Sequence, residues 1–104
     1  MKKTRVILLG TGFIAHIHME SYLRFVHEAE IVAVYGRDLE KAREFARQYK
    51  IPAAYNNVDE LLEKEDAEVV DICLPNYLHH EMCLKAALSM KHVIVEKPLA
   101  MTLE

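Results

Sequence analysis

The chain has 104 residues, a formal net charge of -3, and 52% hydrophobic against 28% charged residues. This length and composition predict one ordered domain, and they exclude a complete two-domain enzyme and a disordered chain. The charge balance gives no field that would attract nucleic acid or an anionic membrane. Neither a membrane-spanning run nor a signal peptide is recognisable, and two cysteines are too few for a disulfide scaffold. We therefore expect a cytoplasmic protein whose partners are small molecules or proteins.

The first third of the chain predicts a strand, a tight turn and a helix. Residues 6–9 form a continuous apolar run that ends at Gly10, as expected for a strand covered on both faces. A helix is predicted from about Phe13 to His27. Spacings of three and four residues predict that one side of it carries Ile14, Ile17, Ser21, Tyr22 and Phe25.

Two more strand and helix units are predicted after it. Residues 31–35 read as the second strand, and Asp38 is placed to cap a helix that turns Leu39, Ala42, Phe45, Ala46 and Tyr49 inward. Residues 52–54 form a short third strand. Asn57 and Glu60 have the spacing of a capping box at the start of the next helix.

The last part of the chain predicts two further strands with a helix between them. Residues 69–74 and 92–95 are the strands, and Leu78, Met82, Ala86 and Ser89 trace one helical face. This alternation is typical of a Rossmann-type doubly wound parallel α/β sheet, for which we predict the strand order 3-2-1-4-5. Residues 102–104 resemble the start of another helix, so we expect an incomplete domain that stops before a later helix and strand.

The turn after the first strand has the pattern of a dinucleotide-binding fingerprint. In Gly10-Thr11-Gly12-Phe13-Ile14-Ala15, the first glycine allows a tight turn, the second leaves room for a pyrophosphate, and Ala15 allows close packing of helix and strand. The start of the helix then offers free N–H groups to the phosphates. An unliganded turn is the alternative, but the position between strand and helix favours nucleotide binding.

The end of the second strand bears on which dinucleotide is bound. An acidic residue about 20 positions after the fingerprint would bind the ribose of NAD. That position is near Gly36, and the next residue is Arg37, whose guanidinium can bind a 2'-phosphate. Asp38 reads as a helix cap. NADP is therefore favoured over NAD, with a solvent-facing arginine as the alternative.

A lysine follows the fifth strand, at the edge of the sheet where ligands bind in open parallel sheets. Lys97 lies between Glu96 and Pro98 and could orient a substrate hydroxyl or carbonyl. The residue pattern alone favours a surface lysine held by a turn.

Taken together, these segments resemble the N-terminal domain of the glucose-fructose oxidoreductase / inositol dehydrogenase / MocA (Gfo/Idh/MocA) family. The likeness rests on residues 10–15, 34–38 with Lys41 and Ala42, 74–76 with Leu78 and His79, and 92–100. It implies an NAD(P)-dependent oxidoreductase that acts on sugars, cyclitols and related polyols. It also implies a C-terminal substrate domain, which residues 1–104 lack, so the chain alone should be inactive.

The resemblance also implies roles for individual residues. Lys97 would be catalytic and face both the nicotinamide and the reacting oxygen of the substrate, which reverses the preference for a surface lysine. His79 matches a histidine usual in the family, although packing at the helix start is an equal alternative. The candidate cofactor-binding residues are Gly10, Thr11, Gly12, Phe13, Ile14, Gly36, Arg37, Leu74, Pro75, Asn76, His79, Glu96, Lys97 and Pro98.

We predict no metal site, because His16 with His18 and His79 with His80 point to different sides of their helices. Cys73 and Cys83 lack the spacing of a redox or zinc motif, and we expect both to be inert. Two functional alternatives remain open. One is a stand-alone dinucleotide-binding regulatory module, and the other is an assembly unit that forms homo-oligomers through the edge of its fifth strand.

Overall fold

The computed structural model describes residues 3–74, 76–89 and 91–95. Strands and helices alternate along these residues. The strands are β1 (Thr4–Leu9), β2 (Ala29–Tyr35), β3 (Ala53–Tyr55), β4 (Val69–Ile72) and β5 (His92–Val95). The helices are α1 (Phe13–Phe25), α2 (Leu39–Tyr49), α3 (Val58–Lys64) and α4 (Asn76–Leu88).

The strands form one sheet in the order β3-β2-β1-β4-β5, and every adjacent pair is parallel. The predicted fold class and strand order are therefore confirmed. β1 lies at the centre, and its neighbours β2 and β4 follow different helices. The chain thus changes direction across the sheet at β1, and ligands bind beside such a point in open α/β sheets.

Helices cover both faces of the sheet, which explains the continuous apolar run in β1. Ile7 and Leu9 pack in the core under α3 and α4, while Leu8 packs in the core under α1 and α2. All three side chains are fully buried. Successive residues of a strand point to opposite faces, so a strand between two helical layers needs apolar residues on both sides.

Side chains cap two of the helices as predicted. Asp38 accepts hydrogen bonds from the backbone N–H of Glu40 at 3.0 Å and of Lys41 at 3.4 Å. Asn57 accepts one from the backbone N–H of Glu60 at 2.9 Å. The side chain of Glu60 pairs with Lys64 at 3.1 Å, so within the described residues the structure shows the Asn57 half of the predicted capping box and not the return contact from Glu60 to the Asn57 backbone.

The predicted inward face of α1 is wrong by about one residue. Ile14, Ile17, Ser21 and Phe25 are exposed, whereas Ala15 and Met19 are buried and Tyr22 is partly buried as predicted. The inner side also includes the partly buried His18, and both His18 and Tyr22 hydrogen-bond to Asp71 on β4. A hydrophobic pattern cannot identify polar residues whose burial is compensated by hydrogen bonds.

Several predicted boundaries differ by a few residues. α1 ends at Phe25 rather than at His27, and β4 ends at Ile72 rather than at residue 74. The proposed helix start at residues 102–104 lies outside the described residues. Within the described residues, the structure contains no helix with the length and apolar character needed to cross a bilayer.

Candidate active site

The carboxyl ends of β1, β2 and β4 meet at one edge of the sheet. The backbone N–H of Gly10 donates to the carbonyl of Tyr35 at 2.7 Å, and that of Cys73 donates to the carbonyl of Leu9 at 2.8 Å. The loops that follow these strands enclose an open cavity of about 560 Å³. It is lined by Gly10, Thr11, Gly12, Gly36, Arg37, Asp38, Lys41, Cys73 and Leu74.

Gly10 is needed where β1 passes close to the end of β4. Its φ is +123°, a conformation that residues with a side chain rarely adopt. A Cβ at this position would lie 2.6 Å from the carbonyl oxygen of Cys73. The fold itself therefore requires a glycine at the start of the turn.

Gly12 is in a different situation, because the described residues place no atom within 4 Å of a Cβ added there. Its φ of -85° is accessible to any residue. Gly12 is also the N-cap of α1, and within the described part of the chain no side chain caps this helix. The first amides of α1 thus lack a side-chain acceptor beside an open space, which is the arrangement that binds phosphate at helix N-termini.

The opposite side of the cavity carries two cationic residues and one carboxylate that is already hydrogen-bonded to the backbone. Arg37 and Lys41 contribute the positive charges. Asp38 also lines the cavity, but its side chain caps α2. Because the carboxylate already accepts two backbone N–H groups, the charge offered to a ligand on this side is mainly positive.

The other predicted cofactor residues lie in several places. Phe13 and Ile14 begin α1, and their exposed side chains are not among those lining the cavity. Asn76 is the first residue of α4, and its side chain lies outside the described part of the structure. Pro75, Glu96, Lys97 and Pro98 also lie outside the described residues.

His79 is buried within α4 and joins that helix to the loop after β4. Only 2% of the residue is exposed, and its Nε2 lies 2.6 Å from the carbonyl oxygen of Leu74. A carbonyl can only accept, so Nε2 carries the proton in this contact. Nδ1 has no hydrogen-bond partner within residues 3–74, 76–89 and 91–95. In this structure His79 positions the Leu74 backbone at the edge of the cavity.

Three residues that line the cavity are not among the candidate site residues predicted from the sequence, namely Asp38, Lys41 and Cys73. Lys41 could have been found, because it lies in the first turn of the helix that follows Arg37. Cys73 reads as a core residue of β4, and its place beside the cavity follows from the close approach of Gly10. That approach becomes visible only when strands distant in sequence are paired.

Comparison with known proteins agrees with this geometry. The model of the GFO_IDH_MocA family, described as an oxidoreductase family with an NAD-binding Rossmann fold, matches residues 4–104. The chain is 38% identical over 95% of its length to an uncharacterized oxidoreductase of Synechocystis. It is 36% identical over its whole length to the glucose-6-phosphate 3-dehydrogenase of Bacillus subtilis. It spans 26% and 28% of the length of these two relatives.

Solved structures show the same fold. One is the scyllo-inositol dehydrogenase of Lactobacillus casei with bound NAD(H) and scyllo-inositol, which superposes with a TM-score of 0.86 over 94% of this chain. The matched region is 29% of that enzyme's chain, and the sequence identity is 20%. At this identity the likeness supports the fold alone.

Proposed function

The chain belongs to the Gfo/Idh/MocA family of oxidoreductases with an NAD-binding Rossmann fold, and we propose that residues 1–104 are the dinucleotide-binding domain of such an enzyme. The reaction we propose is hydride transfer between NADP(H) and a sugar, cyclitol or related polyol. The name of the Bacillus subtilis relative, a glucose-6-phosphate 3-dehydrogenase, supports the sugar class.

The uncapped start of α1 is the observation that carries this proposal. The pyrophosphate of the cofactor would lie over Gly12 and accept hydrogen bonds from the first amides of the helix. The positive end of the helix dipole would add to this interaction. Thr11 and Leu74, which line the same cavity, would border the cofactor on either side of the turn.

The residues at the end of β2 support NADP as the cofactor. A 2'-phosphate would bind to Arg37, with Lys41 adding a second positive charge from the first turn of α2. Gly36 offers no carboxylate to the ribose of NAD, and Asp38 is engaged by the amides of Glu40 and Lys41. The 2'-phosphate of NADP would therefore gain interactions that NAD cannot make, so NAD would bind with lower affinity.

Titration calorimetry with NADPH and NADH tests this preference. We expect Arg37→Ala to weaken NADPH binding about 10-fold or more, since a charge-assisted hydrogen bond to phosphate is lost, and to change NADH binding less than about threefold. Arg47→Ala removes an equal charge from the last turn of α2, away from the cavity, and is the matched control. An equal loss of both nucleotides in the Arg37 variant would contradict NADP selectivity.

Lys97 is the residue that we propose for catalysis, and this rests on the family resemblance of Glu96-Lys97-Pro98. When bound, a nicotinamide supplies the centre that accepts or donates hydride. By the same resemblance, the ammonium of Lys97 would hydrogen-bond the reacting oxygen of the substrate, and Glu96 and Pro98 would fix the turn that carries it. Pro75 and Asn76 would border the nicotinamide, and His79 would support them through Leu74.

Kinetics on an enzyme form that includes a substrate domain test this role. Lys97→Met should lower kcat by about 100-fold or more, as expected for loss of a group that acts on the reacting oxygen. NADPH affinity should change much less, because the phosphate contacts are elsewhere. A variant with unchanged kcat would contradict the assignment of Lys97.

A further inference from the structure

A compact polar cluster lies beneath α1, on the sheet face that this helix covers. It comprises His18 of α1, Asp71 of β4 and Cys73 directly after β4. Asp71 is 1% exposed and Cys73 8%, while the side chain of His18 is 15% exposed. We refer to these three residues as the His18–Asp71–Cys73 cluster.

Strand alternation places two of these ligand-type residues side by side. Val70 and Ile72 pack in the core under α3 and α4, so Asp71 and Cys73 point to the opposite face. α1 crosses that face, and its buried side brings His18 to the same point. His18 lies 53 residues before Asp71 and 55 before Cys73, so no local motif indicates the cluster.

Three ligand atoms of the cluster form a small triangle. His18 Nδ1 lies 3.0 Å from Asp71 Oδ1 and 3.2 Å from Cys73 Sγ, and Cys73 Sγ lies 3.6 Å from Asp71 Oδ1. Tetrahedral zinc, with bonds of about 2.0–2.3 Å, holds its ligand atoms about 3.3–3.8 Å apart. The triangle would therefore need to widen by only a few tenths of an ångström to hold such an ion.

We propose that the His18–Asp71–Cys73 cluster is a binding site for a borderline-soft divalent metal ion of the Zn²⁺ type. Imidazole nitrogen, thiolate sulfur and carboxylate oxygen together favour such an ion over Mg²⁺ or Ca²⁺, which bind oxygen ligands. A fourth ligand would complete the tetrahedral shell. The cluster shares Cys73 with the lining of the nucleotide cavity, but the inference does not depend on the proposed function.

Charge and orientation both fit a bound dication. A carboxylate and a thiolate together neutralise the two positive charges, so the burial of Asp71 is compensated. The other carboxylate oxygen of Asp71, Oδ2, accepts a hydrogen bond from the Tyr22 hydroxyl at 2.7 Å. Such outer contacts orient the ligands of metal sites.

The position of the cluster gives the ion a structural role. It would link α1 to the end of β4 next to Cys73, whose backbone borders Gly10. Both elements contribute to the nucleotide cavity, so metal binding would stabilise the walls of that cavity. The ion would not touch the cofactor phosphates.

Cobalt titration of the metal-free 104-residue chain tests the proposal directly. Co²⁺ bound through Cys73 should give a thiolate-to-cobalt charge-transfer band in the near ultraviolet at one equivalent, and Zn²⁺ should abolish it by displacement. Cys73→Ser should remove the band. Cys83→Ser, which changes the other cysteine at a site on α4, is the matched control and should retain it.

Thermal unfolding with and without zinc provides a second test, which does not require the Cys73 variant to fold. Zn²⁺ at a hundredfold excess over its Kd should raise the Tm of the chain by about 10 °C. His18→Gln, checked for folding by circular dichroism, should lose most of this increase. The proposal is overturned if the wild-type chain gives no charge-transfer band, if Cys73→Ser retains it, or if zinc stabilises His18→Gln as much as wild type.

Discussion

Gly10 and Gly12 lie two residues apart in the same turn, but the described residues crowd Gly10 and leave Gly12 open. At Gly10 a side chain would collide with the Cys73 carbonyl, and φ is +123°. At Gly12 the described residues place no atom within 4 Å of an added Cβ, and the backbone is ordinary. The comparison separates a glycine required for folding from one that leaves room for a ligand. Stability and binding should therefore respond to different substitutions within one motif.

The largest expected effect is on stability at Gly10. Gly10→Ala should lower the free energy of unfolding by about 3 kcal/mol, because the conformational penalty of about 1–2 kcal/mol adds to the cost of overpacking. Urea denaturation followed by circular dichroism measures it. Gly12→Ala is the control and should cost less than about 1 kcal/mol. Equal losses at both positions would contradict the comparison.

The next effect is on binding at Gly12. Gly12→Asp adds a good N-cap that satisfies the amides of α1 and places a negative charge where the pyrophosphate would bind. We expect the unfolding free energy to stay within about 0.5 kcal/mol of wild type while NADPH affinity falls about 100-fold, or about 2.7 kcal/mol. Calorimetry and denaturation of the same sample test both parts. Retained NADPH affinity would show that α1 does not bind the phosphates.

A smaller effect is expected at Asp38, where the fold already uses the side chain. Asp38→Ala should lower the unfolding free energy by about 1 kcal/mol through loss of the helix cap. Asp38→Asn keeps an acceptor oxygen and should be nearly neutral. NADH affinity should change less than about twofold in the asparagine variant. A larger drop would mean that the carboxylate also binds the ribose.

The smallest effect concerns high pH and the side chain of Tyr55. The hydrogen bond to Glu65, followed by burial, raises the pKa of Tyr55 to about 12. The unfolded tyrosine loses its proton near pH 10 while the folded one keeps it, so the unfolding free energy falls as pH rises from about 10 to 12. Tyr55→Phe should show a shallower fall than wild type over that interval. Identical pH profiles would exclude this contribution.

Local sequence signals predicted the fold well where a residue type serves one structural purpose, such as filling the core or capping a helix. The apolar run of β1 and the caps at Asp38 and Asn57 are of this kind, and each is present in the structure. The glycine turn and Arg37 were likewise identifiable as site candidates, and both line the cavity.

The inward face of α1 and the polar cluster could not be predicted in the same way. Exposed Ile14 and Ile17 fit the helical apolar pattern, whereas the partly buried His18 does not. Tyr22 fits the pattern, but its hydrogen bond to Asp71, like that of His18, cannot be predicted from it. Their burial depends on Asp71, about fifty residues later in the chain. Only the pairing of β4 with β1 brings this carboxylate under the helix.

The central claim is that the start of α1 binds the cofactor pyrophosphate, and amide NMR of the ¹⁵N-labelled chain titrated with NADPH tests it most directly. The account predicts that the largest amide shifts fall on residues 11–15, the turn and first residues of α1, and that Gly12→Asp suppresses them. Shifts confined to other parts of the sheet, or equal shifts in the variant, would contradict it.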